Sequence, residues 1–126
     1  PTDANLLAAK IDQYIDLMTD ITVLTFNAGR DLKPKEKIIK RKEFFDQEFT
    51  RKFRMLEEHI SNNGKTIITK NFNISDIALW SFVKWITSGT IDGFPKNILK
   101  KYPKIEKVFK YVNELPEIKN WEKNNY

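Results

Sequence analysis

The segment Phe72-Asn73-Ile74-Ser75-Asp76-Ile77 precedes a long apolar run and predicts where the central helix of this protein begins. Asn73 is a favourable N-cap residue because its side-chain oxygen can accept a backbone N–H of the first turn. Asp76 follows three residues later, so its carboxylate can accept the Asn73 N–H at the positive end of the helix dipole. Phe72 and Ile77 have the spacing of a hydrophobic staple. We therefore expect a helix with a fixed start and direction.

The helix that follows is apolar on nearly all sides, from Ile74 to about Thr87. Its apolar residues are Ile77, Ala78, Leu79, Trp80, Phe82, Val83, Trp85 and Ile86. A helix of this kind is covered by its neighbours, so it belongs at the centre of the core. Ser88-Gly89 is expected to end it.

Two longer amphipathic segments precede this helix. The first is expected to run from a cap at Thr2 to about Phe26 and to end near Gly29 in a left-handed conformation. The second is expected from Pro34 to Ser61, with Asn63-Gly64 as its stop. Their apolar stripes comprise Leu7, Ile11, Tyr14, Ile15, Met18, Ile21 and Leu24, and Ile38, Phe45, Phe49, Phe53, Leu56 and Ile60. A short loop joins the two segments, which predicts an antiparallel pair.

Three shorter helices are expected after the central one: near Lys96–Lys100, from Tyr102-Pro103 to about Leu115, and from Pro116 to Trp121 with frayed residues beyond it. Strand-like alternation is hard to find, and the 126 residues include only four glycines. The sequence therefore predicts an all-α fold, a helical bundle of one domain around a central capped helix.

The composition argues against several classes of function. There is no cysteine and a single histidine, His59, with no carboxylates at metal-ligand spacing, so no metal site is expected. No stretch approaches the length of a membrane span. The net charge of +5 permits an acidic partner, but the lysines alternate with acidic residues and no recognition motif accompanies them. Nucleic acid is therefore a disfavoured partner. His59 is expected near a helix C-terminus, where it suits the dipole.

The segment Thr66–Ile77 resembles the capping-box region in the C-terminal domain of cytosolic glutathione transferases. Lys101–Ile105 and Leu115–Trp121 resemble the closing helices of that domain, at the expected distance. The resemblance spans roughly the whole chain and is nearest to the sigma-like class. The hydroxyl cap, alanine and glycine of the family pattern are replaced here by Asn73, Ser75 and Thr69.

The resemblance implies a transferase that conjugates glutathione, its co-substrate, to hydrophobic electrophiles in the cytoplasm, without a metal. In that family a thioredoxin-like domain precedes the helical domain and carries the activating Tyr or Ser. Residues 1–126 are then only the helical domain, which supplies the electrophile pocket and much of a homodimer interface. No catalytic residue is expected in this chain, and the chain alone is expected to be inactive.

Asp12, Asp16 and Asp20 recur every four residues on one face of the first helix. Like charges at this spacing repel one another, so this row of three aspartates does not stabilise the helix. One interpretation is a solvated face. The resemblance suggests another, because an Asp at the position of Asp20 binds the ammonium group of glutathione across the dimer in sigma-like transferases.

The resemblance also implies an electrophile pocket between the end of the first helix and the capped helix. The matching positions are Phe26, Asn27, Ala78 and Phe82. The alternative for Phe82 is ordinary core packing.

A second function from another class stays open. It is a non-catalytic transferase-like module used for docking, as in translation-factor or synthetase assemblies. The positive net charge fits this alternative slightly better, whereas the column of Asp12, Asp16 and Asp20 fits the enzyme.

Overall fold

A computed structural model describes residues 3–60 and 72–125, and every regular element in these ranges is helical. The elements are α1 (Asp3–Asn27), α2 (Pro34–Phe44), a π-helical turn (Phe45–Phe49), α3 (Thr50–His59), α4 (Ile74–Ile86), a 3-10 turn (Ile98–Lys101), α5 (Pro103–Asn113) and α6 (Pro116–Asn125). The described ranges contain no β-strand. The predicted all-α class is thus confirmed.

Helix α4 starts with the predicted capping box. Asn73 Oδ1 accepts the Ser75 N–H at 2.9 Å, and Asp76 Oδ2 accepts the Asn73 N–H at 2.9 Å. Ser75 and Asp76 are completely buried. The capping residues on one side of the first turn of α4 are therefore buried inside the protein. The predicted staple between Phe72 and Ile77 stays a prediction, since both side chains are more than a third exposed.

Helix α4 occupies the centre of the bundle and packs against α1 and α5. Trp80 Nε1 donates a hydrogen bond to Asn113 Oδ1 at 3.1 Å, which joins α4 to α5. The expectation that neighbours cover α4 on every side is only partly correct. Ile74 and Ile77 are 63% and 37% exposed, so one face near its start remains open among the described residues.

The second long helix predicted over Pro34–Ser61 is interrupted. A π-helical turn separates α2 from α3, and Thr50 Oγ1 donates to the carbonyl of Phe45, five residues earlier, at 2.6 Å. Helix α3 ends at His59, and Ile60 has an extended backbone. The prediction of one continuous helix was therefore wrong in the middle of the segment.

The π-helical turn also changes which residues of the predicted stripe are buried. A π turn accommodates one extra residue, and one residue is worth about 100° of rotation around a helix. Phe49, Phe53 and Leu56 are completely buried, whereas Ile38 on α2 is 45% exposed. Ile38 was predicted to belong to the same buried stripe, and this was wrong. The π-helical turn rotates the apolar face of α2 relative to that of α3, so the two faces do not form one stripe.

Helix α6 is longer than predicted. It continues past Trp121 to Asn125, where fraying was expected. Asn124 Nδ2 donates to the Asn120 carbonyl at 3.1 Å, and Asn125 Nδ2 donates to the Trp121 carbonyl at 2.7 Å. Both side chains therefore fold back along the last turns of the helix.

Three glycines among the described residues, Gly29, Gly89 and Gly93, have conformations that other residues rarely adopt. Gly29 has a φ of +70°, as predicted for the residue that ends α1. Gly93 has a φ of +82°, and a Cβ added there would lie 3.1 Å from the Lys42 nitrogen and 3.2 Å from the Ile38 carbonyl oxygen. A glycine at position 93 therefore lets the loop after α4 approach the backbone of α2.

Helix α5 receives its cap from a distant residue. Glu57 on α3 accepts the Lys104 N–H at 2.7 Å and the Ile105 N–H at 2.9 Å through its two carboxylate oxygens. Tyr102, at the N-cap position itself, makes no capping bond with its side chain. Nothing in the local sequence of α5 indicates this arrangement.

Some predictions lie outside the described residues. They concern the cap at Thr2 and the stop at Asn63-Gly64.

We expect Asp76→Ala to lower the free energy of unfolding by about 1–2 kcal/mol, because it removes a cap hydrogen bond and a favourable charge at the helix start. Asn73→Ala should cost a similar amount, measured by urea or thermal unfolding. Asn73→Ser, which retains a capping oxygen, is the control and should stay within about 0.5 kcal/mol of the parent. Parent-like stability of both alanine variants would mean that the capping box does not hold α4.

Candidate functional site

Helix α1 borders two grooves, one acidic and one apolar. The acidic groove lies between α1 and α3 and has a volume of about 600 Å³. Asp12, Asp16 and Asp20 all line it and are all exposed. Within residues 3–60 and 72–125 none of the three carboxylates takes part in an ion pair. The groove can therefore receive a cationic group, for which carboxylates are the natural acceptors.

The opposite wall of the acidic groove comes from Met55 and His59 of α3. Tyr14 Oη donates to the His59 carbonyl at 2.5 Å and ties the end of α3 to α1. Burial raises the pKa of Tyr14, so its hydroxyl remains a donor at neutral pH. His59 is the last residue of α3, as expected, and its Nδ1 lies 2.7 Å from the Met55 carbonyl. The ring thus lies back along the final turn of α3.

The apolar groove lies between α1 and α4 and has a volume of about 410 Å³. Ala78 and Phe82, two of the predicted pocket residues, both line it together with Trp85. Phe82 is only 7% exposed and belongs to the hydrophobic core as well. Core packing and groove lining are therefore not exclusive alternatives for this residue. Apolar walls of this kind suit a hydrophobic small molecule.

Phe26 and Asn27, the other two predicted pocket residues, do not line the groove directly. Phe26 is 55% exposed, and its ring stacks on that of Trp85 with centroids 5.3 Å apart. Asn27 is the exposed last residue of α1. The structure thus connects Phe26 to the groove through Trp85 and leaves Asn27 at the end of the helix.

Sequence reasoning missed several residues of the two grooves. Trp85 was recognisable in principle, because Ala78, Phe82 and Trp85 are spaced at i, i+4 and i+7 on one helix face. The bond from Tyr14 to His59 joins residues 45 positions apart, and no local pattern indicates it. The remaining residues that line the apolar groove are Ile15, Met18, Thr19, Thr22, Val23 and Ser81.

Neither a metal site nor a membrane-spanning helix is found in the part of the chain that the structure describes. Residues 3–60 and 72–125 contain no group of three or more His, Asp or Glu side chains that could hold a metal ion. None of the helices in these ranges has both the length and the apolar character needed to cross a membrane.

Comparison with models of protein families identifies a match. The sequence model of the family described as glutathione S-transferase, C-terminal domain, matches residues 15–125. A search of curated proteins and a search of solved structures give no match. The matched range contains α4 with its capping box and all of the predicted site residues except Asp12.

Two phenylalanines of the site should respond differently to truncation. We expect Phe82→Ala to lower the free energy of unfolding by about 3–5 kcal/mol, because it opens a cavity in the core. Phe26→Ala should cost about 1 kcal/mol, since its exposed ring contributes mainly the stack on Trp85. Urea unfolding of the two variants measures both values. Equal losses of unfolding free energy in the two variants would contradict the assignment of Phe82 to the core and of Phe26 to the end of the groove.

Proposed function

Since the chain belongs to the family of glutathione S-transferase C-terminal domains, we propose that it is the helical half of a transferase that conjugates glutathione to hydrophobic electrophiles. The match over residues 15–125 is the observation that carries this proposal. The apolar groove beside α4 and the acidic groove on the other side of α1 support it, because the reaction needs an apolar and a charged binding surface.

We assign the electrophile to the apolar groove. Ala78 and Phe82 would form its floor, and Phe26 would lie at its end through the stack on Trp85. Asn27, at the end of α1, would contribute a polar contact at the rim. A pocket with apolar walls and few polar groups binds a hydrophobic substrate by removing apolar surface from water.

We assign the glutathione ammonium to Asp20. An ammonium group offers only donors, and a carboxylate offers only acceptors, so the two match chemically. The Asp20 side chain is exposed at the acidic groove and is free of ion pairs in the described ranges. It could therefore reach glutathione bound to the other subunit of a homodimer that associates through the face of α1 and α3. The sigma-like class is proposed on the same ground.

The reaction itself would be divided between two domains. The activating Tyr or Ser belongs to a thioredoxin-like domain, so we assign no catalytic residue to Pro1–Tyr126. The helical domain binds and orients the electrophile, and positioning of this kind contributes to the rate by bringing the reacting atoms close together. A cytoplasmic location is proposed by analogy with the cytosolic members of the family.

In the intact two-domain dimer, we expect Asp20→Asn to raise the KM for glutathione about fivefold or more, because it removes the charge that binds the ammonium. The KM for the electrophile should hardly change, since the contact is remote from the reacting centre. Asp31→Asn removes the same charge from a loop outside both grooves and serves as the control. If Asp20→Asn changes the KM of both substrates equally, or if Asp31→Asn has the same effect, Asp20 is a solvated surface residue that does not bind glutathione.

A docking module without catalysis is the alternative, and the net charge of +5 favours it. Conjugation of glutathione to a chloronitrobenzene-type electrophile by the intact protein separates the two functions. Activity that falls on narrowing the apolar groove by Ala78→Phe supports the transferase. A folded intact protein that binds no glutathione and conjugates no electrophile supports the docking module.

A further inference from the structure

A third cavity lies on the far side of α3, and α1 contributes no residue to it. Its volume is about 420 Å³, within the range of small-molecule sites. The walls come from the π-helical turn, α3 and the 3-10 turn, three elements that adjoin the N-terminus of α5. No residue of this cavity lines the acidic or the apolar groove.

Positive charge dominates the lining of this cavity. Arg54, Lys100 and Lys101 all line it, and none of the three has a carboxylate within ion-pair distance in the described ranges. The single acidic residue of the lining is Glu57. Both of its oxygens accept N–H groups at the start of α5, so its carboxylate stays charged but is directed to that helix end. With three cationic side chains and one carboxylate, the lining carries an excess of positive charge.

The inner part of the cavity is apolar. Ile98 and Tyr102 are 4% and 6% exposed, and the ring of Phe45 is half-buried beside them. Burial raises the pKa of Tyr102, whose phenol therefore remains neutral. A ligand that fits this lining carries negative charge at one end and a flat apolar body at the other.

The π-helical turn explains why the cavity exists at this place. Thr50 Oγ1 donates to the Phe45 carbonyl across the widened turn, and both residues line the cavity. An α-helix continued through this segment would rotate α3 by about 100° relative to α2 and move Arg54 away from the 3-10 turn. Widened turns of this kind occur frequently at functional sites.

We propose that this cavity binds a small phosphomonoester with an aromatic body. Three cationic side chains without carboxylate partners match a dianionic phosphate, for which Arg and Lys are the usual ligands in proteins. The apolar inner wall of Phe45, Ile98 and Tyr102 contacts the ring. This site does not depend on the proposed transferase function, because it shares no residue with either groove.

The probe is phenyl phosphate, titrated into the ¹⁵N-labelled protein at low ionic strength and followed by NMR. We expect saturable shifts of the amides of Thr50, Arg54 and Ile98–Tyr102 with a Kd below about 1 mM, and weaker binding as salt is added. Inorganic phosphate should bind more weakly because it lacks the ring. Shifts elsewhere on the protein, no saturation, or equal affinity for inorganic phosphate would overturn the proposal.

Charge-matched variants test two of the three cations, Arg54 and Lys101. Arg54→Gln and Lys101→Gln should each weaken binding of phenyl phosphate about five- to tenfold, because each removes a charged contact to the phosphate. Lys107→Gln, on the exposed side of α5, removes the same net charge outside the cavity and should change the Kd less than about twofold. Arg54, Lys101 and Lys107 are all solvent-exposed, so the variants should unfold like the parent. Equal weakening in Lys107→Gln would mean that only the overall charge attracts the anion.

A phosphotyrosine residue presents the same chemistry on a peptide. A short peptide with phosphotyrosine flanked by alanines should bind less tightly than phenyl phosphate, because the cavity accommodates a small molecule and not a chain. Tighter binding of the peptide would assign the site to a protein partner and overturn the proposal of a small ligand.

Discussion

The buried start of α4 is the constraint on which the rest of the fold depends. Asp76 carries a carboxylate that is completely buried, and a buried charge is tolerated only where hydrogen bonds and a favourable field compensate for its lost hydration. The Asn73 N–H and the positive end of α4 provide both. Because these groups satisfy one another only in one geometry, α4 can begin at only one place and in one direction. Helices α1 and α5 then pack against a fixed central element.

The position of α4 determines the apolar groove, and the position of α1 determines both grooves. Ala78, Phe82 and Trp85 form the α4 side of the apolar groove, so any shift of the cap would move them together. The hydrogen bond from Tyr14 to the His59 carbonyl holds α1 against the end of α3 and thereby maintains the acidic groove. Charge and apolar surface are thus separated by the width of a single helix.

Two features of the segment from α2 to α3 could not be predicted from the sequence, for physical reasons. The apolar residues of α2 and α3 have the spacing of one continuous helix. Periodicity alone cannot distinguish such a helix from one that contains an extra residue in a π turn. The exposure of Ile38 and the burial of Phe49 follow only once that turn is known. Glu57 likewise reads as a surface residue of an amphipathic helix. Its role as the cap of α5 depends on packing between segments almost fifty residues apart.

The sequence by itself determined the all-α class, the approximate helix ranges, the capping box of Asn73 and Asp76, and the resemblance to a transferase domain. The helix ranges and the capping box depend on residues within one or two helical turns, where the chain's own geometry fixes which groups meet. The tertiary structure alone decided that Asp12, Asp16 and Asp20 face His59, and that Phe26 contacts the groove only through Trp85. It also decided that Arg54 meets Lys100 and Lys101 around one cavity. Such meetings depend on the relative rotation and packing of whole helices, which no local pattern of residues specifies.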